Sequence, residues 1–254
     1  MRSLTSILSA KTTDLGIKKL KLGSGSTWPG HVALKVDPNI IQKILKKNPR
    51  LKVILVAGTN GKTTTSTLLK YLLEQNDLKV IQNETGANLL NGIVTTLLLN
   101  AKSNGKLLYD VAIFEVDENS LPVVLKHVTP TAIILLNLFR DQLDRYGEVN
   151  TIGLKWKDAI SRMILDQGSS LKDKTQLFVN ADDPGLRLIT EDSKIQTSYF
   201  GIDEKLMTKK ELSHDVDFVY CPKCQTKLHF KKIAYSHLGK YECPKCGLSN
   251  PKAD

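Results

Sequence analysis

The sequence predicts an α/β fold with a mainly parallel sheet, followed by a small cysteine-containing module. Short apolar or β-branched segments alternate with helix-compatible segments as far as Gly201, and repeated βα units form parallel sheets with helices on both faces. After a polar stretch, all four cysteines fall in two Cys-x-x-Cys pairs. We divide the chain into a basic lead-in segment (1–52), the α/β domain (53–203), a linker (204–219), the cysteine module (220–248) and a tail (249–254).

The individual elements are predicted from local patterns. Apolar or β-branched runs predict strands at 52–57, near Val80, and at 110–116, 131–136 and 176–180. Helices are predicted at 62–74, 87–99 and 151–165, the last from apolar residues that recur at helical spacing. Residues 52–74 therefore form a strand, a glycine loop and a helix in succession.

The positive charge is concentrated at the N-terminal end. Residues 1–52 contain eleven Lys and Arg against Asp14 and Asp37, which gives +9 there and +1 for the rest of the chain. A basic segment of this kind can steer phosphates, anionic lipid head groups or nucleic acid toward the protein. The alternative is a solvated arm or a face that meets an acidic partner. No apolar run reaches the ~18 residues of a membrane span, and a signal peptide's apolar segment is missing, so we expect a cytosolic protein.

A phosphate-binding loop is predicted between the first strand and its helix. It consists of Gly58, Thr59, Asn60, Gly61, Lys62, Thr63 and Thr64. Glycines allow backbone N–H groups to approach phosphate oxygens, Lys62 reaches the β- and γ-phosphates, and the Thr63 hydroxyl binds Mg²⁺. Val56 stands where the usual G-x-x-x-x-G-K-[ST] pattern has its first glycine. We expect ATP and magnesium as ligands of this variant P-loop.

The variant loop resembles the P-loop of the Mur ligases and of folylpolyglutamate synthases. These families use ATP to convert a carboxylate into an acyl phosphate, which an amine then attacks. The resemblance implies a Mur-ligase central domain at 53–203. Lys62 and Mg²⁺ would stabilise charge on the transferring phosphoryl group.

A magnesium-binding glutamate is expected at the end of the strand 110–116. The strand is apolar until Glu115 and is followed by Asp117 and Glu118, at the edge where ligands of open α/β sheets bind. Carboxylate oxygens are preferred ligands of Mg²⁺. In the Mur-ligase pattern the matching glutamate holds magnesium, so Glu115 joins Lys62 as a candidate catalytic residue. A solvated strand terminus is the alternative.

The segment 137–147 also resembles the family, with one substitution. It is similar to the family's N-L-x-x-D-H-L-D segment, but Gln142 replaces a histidine that helps to bind a second magnesium. Lys155 and Lys157 lie where peptide-adding Mur ligases carry a carbamylated lysine, or they are charges on a helix face.

The motif N-A-D-D-P at 180–184 resembles the family's adenine-binding element. An asparagine amide offers both a donor and an acceptor to a purine edge. Asn180 and Asp183 are therefore candidate nucleotide-binding residues, and Asp183 also fits a helix N-cap with Pro184 in the first turn. The segment 85–88 likewise fits a helix entry, and in the family it lies on the substrate side.

The cysteine pattern predicts a structural zinc ribbon. Cys221 and Cys224 are separated by 18 residues from Cys243 and Cys246, which matches the C-x₂-C-x₁₅₋₂₀-C-x₂-C zinc pattern. Four thiolates complete a tetrahedral shell and leave no open position for catalysis. A disulfide pair is the alternative.

A zinc ribbon inserted after N-A-D-D-P resembles the ligase subunits of lipid II isoglutaminyl synthases, a branch of the Mur ligases. Three further features agree with this branch: the P-loop begins as early as Gly58, the segment 23–30 resembles the branch's sequence before the P-loop, and Gln142 is the branch's glutamine. The resemblance implies that the α-carboxylate of D-isoglutamate in lipid II is phosphorylated, and that a GatD-like glutaminase supplies ammonia. It also allows the basic segment to face the inner membrane surface. Because the family continues beyond the ribbon, we expect nucleotide and zinc binding but no ligase activity from this chain alone.

Two other functions fit parts of the sequence. One is a folylpolyglutamate synthase-like or peptide-adding ligase, which the zinc ribbon and Gln142 disfavour. The other is a zinc-ribbon nucleic-acid binder with an ATPase domain, suggested by the pI of 9.3. No aromatic residues interleave the basic segment as a stacking platform, which argues against nucleic acid as a partner.

Overall fold

The computed structural model describes residues 2–20, 27–84, 86–139, 148–166, 175–191, 195–209 and 217–253. The helices are α1 (Arg2–Leu20), α2 (Trp28–Val36), α3 (Ile40–Lys47), α4 (Lys62–Glu74), α5 (Leu90–Asn100), α6 (Leu121–Val124), α7 (Glu148–Asp166) and α8 (Pro184–Thr190). The strands are β1 (Lys52–Ala57), β2 (Val80–Gln82), β3 (Val111–Val116), β4 (Ala132–Leu135), β5 (Gln176–Asn180), β6 (Gln196–Phe200), β7 (His229–Tyr235) and β8 (Leu238–Glu242).

The predicted mainly parallel sheet is confirmed. Six strands follow the order β2-β3-β1-β4-β5-β6, and β7 and β8 form a separate antiparallel hairpin. β2 pairs with β3, β4 with β5, and β5 with β6, all in parallel. Every residue of β3 is buried, as expected for a strand covered on both faces.

The boundaries of β1, α4 and β5 match the prediction, whereas the helix predicted at 87–99 begins later. α5 starts at Leu90 because a turn precedes it: Gly86 has a φ of +82°, and the Ala87 N–H donates to the Glu84 carbonyl. Leu89 is the N-cap and has an extended backbone, with φ −95° and ψ 167°, so the helix begins only at Leu90.

The chain groups into two compact units, Met1–Val56 with Lys62–Thr131, and Ala57–Gly61 with Ala132–Asp254. In the first unit, α1 packs on α2, and α2 and α3 pack on α5. α3 buries Ile40, Ile41 and Ile44, while Lys46 and Lys47 in its last turn are exposed. A Cβ at Gly30 would overlap the Asn91 carbonyl, so only glycine allows α2 to approach α5 this closely. The basic segment is therefore folded as helices over its described residues and is not a solvated arm.

In the second unit, β4, β5 and β6 pair in parallel, and α7 packs on α8. Trp156 of α7 is fully buried. The β7–β8 hairpin has a small core of its own, which contains Leu228, Phe230, Ile233, Tyr241 and Leu248 together with the cysteines. Across the described parts of the chain, no helix combines the length and apolar character that crossing a membrane requires.

Candidate nucleotide and metal sites

The predicted phosphate loop depends on two glycines in unusual conformations. Gly58 has a φ of +149° and Gly61 a φ of +84°, values that side-chain-bearing residues rarely adopt. A Cβ at Gly58 would lie 2.9 Å from the Leu136 Cβ and 3.1 Å from the Asn137 amide nitrogen. The loop therefore passes against residues 136–137 at a distance that only glycine permits.

Residues 137–139 hold this loop in place. The Asn60 N–H donates to the Asn137 Oδ1 at 2.9 Å, and the Asn137 Nδ2 donates back to the Asn60 carbonyl at 3.1 Å. The Thr59 N–H donates to the Asn137 carbonyl, and the Thr59 hydroxyl oxygen accepts from the Phe139 N–H at 2.8 Å. These two amides are therefore engaged within the protein, whereas the N–H groups of the first turn of α4 have no acceptor within their own helix, as in known anion-binding helix starts.

The first turn of α4 brings Lys62 next to an acidic residue. The Lys62 Nζ lies 3.9 Å from the Glu118 Oε2, and both side chains are mostly buried. The partial positive charge of the helix N-terminus adds to the ammonium charge here. The start of α4 thus brings an ammonium group and the positive end of the helix dipole together, beside the Glu118 carboxylate.

Glu115 is buried and held by neutral donors. Its side chain is 3% exposed, so the alternative of a solvated strand terminus is excluded. The Thr63 hydroxyl donates to Oε2 at 2.8 Å, while the Ser66 hydroxyl and the Gln82 amide donate to Oε1 at 2.8 and 3.1 Å. All three partners are uncharged, and burying a carboxylate without a cation is costly. The adjacent oxygens of Glu115 and Thr63 therefore fit the hard oxygen ligands that Mg²⁺ prefers.

Three residues at this position were not predicted from the sequence. Ser66 lies one helical turn after Lys62 and Thr63, so helical spacing could have identified it. Gln82 ends β2, the parallel neighbour of β3, and Asn83 follows it, at the same sheet edge as Glu115. The Asn83 side chain accepts from the Glu115 N–H at 2.8 Å and donates to the Glu115 carbonyl at 3.0 Å. These residues fix the backbone and the carboxylate of Glu115.

The segment 180–183 leaves the end of β5 in a tightly bonded turn. The Asn180 Nδ2 donates to the Leu136 carbonyl at 3.0 Å, and the Asp182 N–H donates to the Asn180 Oδ1 at 3.0 Å. An amide group has two N–H donors and two acceptor lone pairs, so each end of Asn180 keeps one further position for a purine edge.

Asp183 is the N-cap of α8, as the sequence predicts. Its Oδ1 accepts from the Gly185 and Leu186 N–H groups, and its Oδ2 accepts from the Leu138 N–H at 2.7 Å. The side chain is fully buried. Asp183 therefore joins the start of α8 to the segment that follows β4.

The four cysteines form one cluster. Their sulfur atoms all lie within 4.8 Å of one another, with Cys221 to Cys246 at 3.6 Å and Cys224 to Cys243 at 3.4 Å. Zn–S bonds of about 2.3 Å in a tetrahedron place sulfur atoms ~3.8 Å apart, so the cluster fits zinc. All four cysteines are free in this structure, which agrees with a metal-binding cluster rather than a disulfide pair.

The two Cys-Pro-Lys-Cys turns have the same geometry. In each, the N–H four residues after the first cysteine donates back to that cysteine's carbonyl, from Gln225 to Cys221 and from Gly247 to Cys243. Both donors have a positive φ, 57° at Gln225 and 72° at Gly247. Burial raises the pKa of Cys221 to about 12, whereas hydrogen bonds with Thr226 lower the pKa of the Cys224 thiol to about 6. Paired turns of this kind suit metal ligation.

Some predicted residues lie outside the described parts of the chain. These are Thr85, Gln142 with the rest of 140–147, and 23–26 of the lead-in. Lys155 is exposed on α7 and Lys157 is half-buried, so the exposure of Lys155 agrees with a charge on a helix face.

Comparison with known proteins agrees with this geometry. Residues 56–243 match the Mur ligase middle domain. The chain is similar to the MurT subunit of lipid II isoglutaminyl synthase from Streptococcus pneumoniae, with 36% identity over 92% of this chain and 49% of that protein. The chain thus spans about half the length of the curated relative.

Solved structures show the same fold. MurF from Acinetobacter baumannii superposes with a TM-score of 0.52 at 25% identity, over 67% of this chain and 34% of that one. MurF ligase from Thermotoga maritima, solved in complex with ADP, gives a TM-score of 0.51 at 22% identity, over 66% and 36%. The match to the middle-domain family covers well over half of the chain, together with its P-loop and sheet. The chain belongs to the Mur ligase family.

Proposed function

We propose that the chain is the ATP-binding part of an amide-forming ligase. One observation carries this proposal: the buried carboxylate of Glu115 lies 2.8 Å from the hydroxyl of Thr63, which belongs to the phosphate loop. A phosphate loop beside a carboxylate held by neutral donors suits a nucleotide triphosphate with its magnesium ion. Similarity to the MurT subunit over most of the chain supports the same function.

In this proposal each loop residue has a role in holding ATP. Gly58, Thr59, Asn60 and Gly61 shape the loop, while the N–H groups of Thr63 and Thr64 face the phosphates. The Lys62 ammonium group offsets charge on the phosphoryl group during its transfer. Thr63 and Glu115 would hold Mg²⁺, which when bound polarises the phosphoryl oxygens.

We assign the adenine to Asn180, whose amide retains a donor and an acceptor position. Asp183 contributes by positioning, because its carboxylate is fully buried among backbone donors. We assign zinc to Cys221, Cys224, Cys243 and Cys246, as a closed structural site.

The proposed substrate is the α-carboxylate of D-isoglutamate in the stem peptide of lipid II. A carboxylate oxygen attacks the γ-phosphorus of ATP, ADP leaves, and an acyl phosphate results. Ammonia from a GatD-like glutaminase then attacks the carbonyl carbon and phosphate leaves, which yields the amide. The similarity to a MurT subunit supports this substrate and this partner.

We propose a cytoplasmic protein that works at the inner face of the membrane. α1 supports this location because Leu4, Leu8 and Leu15 are exposed on it and Lys18 and Lys19 end it. Charge reversal at Lys18 and Lys19, together with Lys21 outside the described residues, should weaken binding to vesicles containing anionic lipid. Unchanged vesicle binding would exclude this location.

A chimera tests the ligase function. This chain would replace the matching half of the Streptococcus pneumoniae subunit, and lipid II amidation would be followed by mass spectrometry with glutaminase and ATP present. We expect amidation by the chimera and none by the same chimera carrying Lys62→Ala. The chain with glutaminase but without the remaining half should not amidate lipid II. A folded, ATP-binding chimera without amidation would contradict the proposed reaction.

A further inference from the structure

The cysteine-bearing hairpin contacts the segment 180–183, two residues of which we assign to nucleotide binding. The Gly239 N–H, at the start of β8, donates to the Asp182 carbonyl at 3.0 Å. The Asn250 side chain, just after the second cysteine pair, donates to the Ala181 carbonyl at 2.8 Å and to the Gly239 carbonyl at 2.8 Å. The hairpin and the residues that follow it therefore donate hydrogen bonds to two consecutive carbonyl groups, those of Ala181 and Asp182.

A buried ion pair adds to these backbone contacts. The Lys240 Nζ lies 2.8 Å from the Asp182 Oδ1, and the Asp182 side chain is 1% exposed. The other carboxylate oxygen accepts from the Ile202 N–H at 2.7 Å. Removing the lysine would leave a buried carboxylate without its cation, which is strongly unfavourable. The position of Asp182 thus depends on β8.

The hairpin turn provides a third contact through His237. This histidine is fully buried, with its Nε2 3.5 Å from the Asp183 Oδ2. Its ring packs on Phe139 and Phe218, with centroids 4.6 and 5.1 Å away. Phe139 also bonds to the Thr59 hydroxyl, so this contact continues to the phosphate loop.

The hairpin itself depends on the cysteine cluster. A two-stranded hairpin is marginally stable alone, and this one has a core of only a few side chains, of which cysteines are part. Cys243 directly follows β8, and its N–H donates to the Leu248 carbonyl, so the second turn fixes the end of the strand. Loss of metal from four thiols would release both ends of the hairpin.

We propose that the metal-bearing hairpin positions the segment 180–183, so that metal at the four cysteines and ATP at the phosphate loop bind cooperatively. Lys240 and His237 are the positioning residues. The coupling to ATP rests on the proposed function, whereas the support of 180–183 by the hairpin rests on the contacts alone. Linkage is reciprocal at equilibrium, so ATP should strengthen zinc binding by the same factor by which zinc strengthens ATP binding.

The first test compares zinc-loaded protein with protein stripped by a chelator. Hydrogen exchange measured by mass spectrometry should show faster exchange in peptides covering 176–190 after zinc removal, because the Ala181 and Asp182 amides lose their fixed geometry. The dissociation constant for ATP with magnesium should rise about ten-fold, within the range usual for coupled sites. Unchanged exchange in 176–190 would overturn the proposal, whether or not the chain binds ATP.

The second test uses variants that keep the zinc. Lys240→Met should weaken ATP binding several-fold with zinc content unchanged, and Lys240→Arg should restore most of the affinity. Lys231→Met is the matched control, because Lys231 lies on β7 in an exposed pair with Glu242. His237→Gln tests the second positioning residue while Lys240 stays in place.

These outcomes separate the two claims. A wild-type chain that does not bind ATP contradicts the proposed function, and the exchange measurement then still decides the support of 180–183. ATP binding that is equal in zinc-loaded and stripped protein overturns the coupling. Equal loss of affinity in Lys240→Met and Lys231→Met would also overturn it, because a general charge effect would then explain both.

Discussion

Substitution of Asp183 by alanine should strongly destabilise the second unit. The carboxylate has no exposed surface and accepts four hydrogen bonds or close contacts, from Gly185, Leu186, Leu138 and His237. This one side chain thus joins a helix start, a neighbouring loop and a hairpin turn. The cost therefore comes from several backbone groups that lose their acceptor together.

The magnitude follows from the groups left unpaired. Loss of an N-cap carboxylate costs ~1 kcal/mol. The Leu138 N–H is buried and would lose its acceptor, at roughly 1–3 kcal/mol. The sum is about 3 kcal/mol, which corresponds to an unfolding temperature lower by about 6–12 °C for a protein of this size. Asp183→Asn keeps an acceptor oxygen for the helix cap and should lose about half as much.

Urea and thermal denaturation followed by circular dichroism would measure this loss. The control is Asp158→Ala on α7, because Asp158 is exposed and its pair with Arg162 spans one helical turn. Exposed pairs of this kind contribute ~0.3–0.5 kcal/mol. If Asp183→Ala were no more destabilised than Asp158→Ala, the assignment of Asp183 as a buried structural acceptor would be wrong.

Three further predictions concern the loop, the carboxylate and the cysteines. Gly58→Ala should reduce ATP affinity at least ten-fold, because the positive φ of Gly58 and the 2.9 Å approach to Leu136 exclude a Cβ. The control is Gly16→Ala in α1, where a Cβ would meet nothing within 4 Å. It should leave ATP affinity unchanged and raise the stability by ~1 kcal/mol. Glu115→Gln should abolish the magnesium dependence of ATP binding while the fold persists, as judged by titration calorimetry at several magnesium concentrations. Cys221→Ser should lower the zinc content measured by atomic absorption and the unfolding temperature together, and a variant with full zinc content would exclude Cys221 as a ligand.

The sequence predicts the central part of the fold well because patterns there are local. β1, α4 and β5 begin and end where apolar runs, the glycine loop and the N-A-D-D-P motif place them. The helices of the basic segment were not predicted. In α3, for example, lysines lie between and after Ile40, Ile41 and Ile44, and the segment was interpreted from its charge rather than from the helical spacing of these isoleucines. The late start of α5 depends on the extended backbone of its N-cap, Leu89, which the local apolar pattern does not reveal.

The candidate site was predicted only as far as motifs extend. Lys62, Thr63 and the cysteines were predicted from motif spacing, and Glu115 from its strand end and the Mur-ligase resemblance. The structure brings Thr63 together with Glu115 and the four cysteines with one another. The packing of His237 against Asp183 joins residues 54 positions apart, and a lone histidine carries no signal of that contact. Tertiary contacts of this kind need the folded chain.

Isothermal titration of ATP into zinc-loaded protein, with and without magnesium, tests the central claim most directly. We expect saturable binding of one ATP per chain that requires magnesium and is lost in Lys62→Ala. Lys70→Ala, on the same helix in an exposed pair with Glu74, should bind ATP normally. Absence of binding by the wild-type chain, or equal binding by Lys62→Ala, would contradict it.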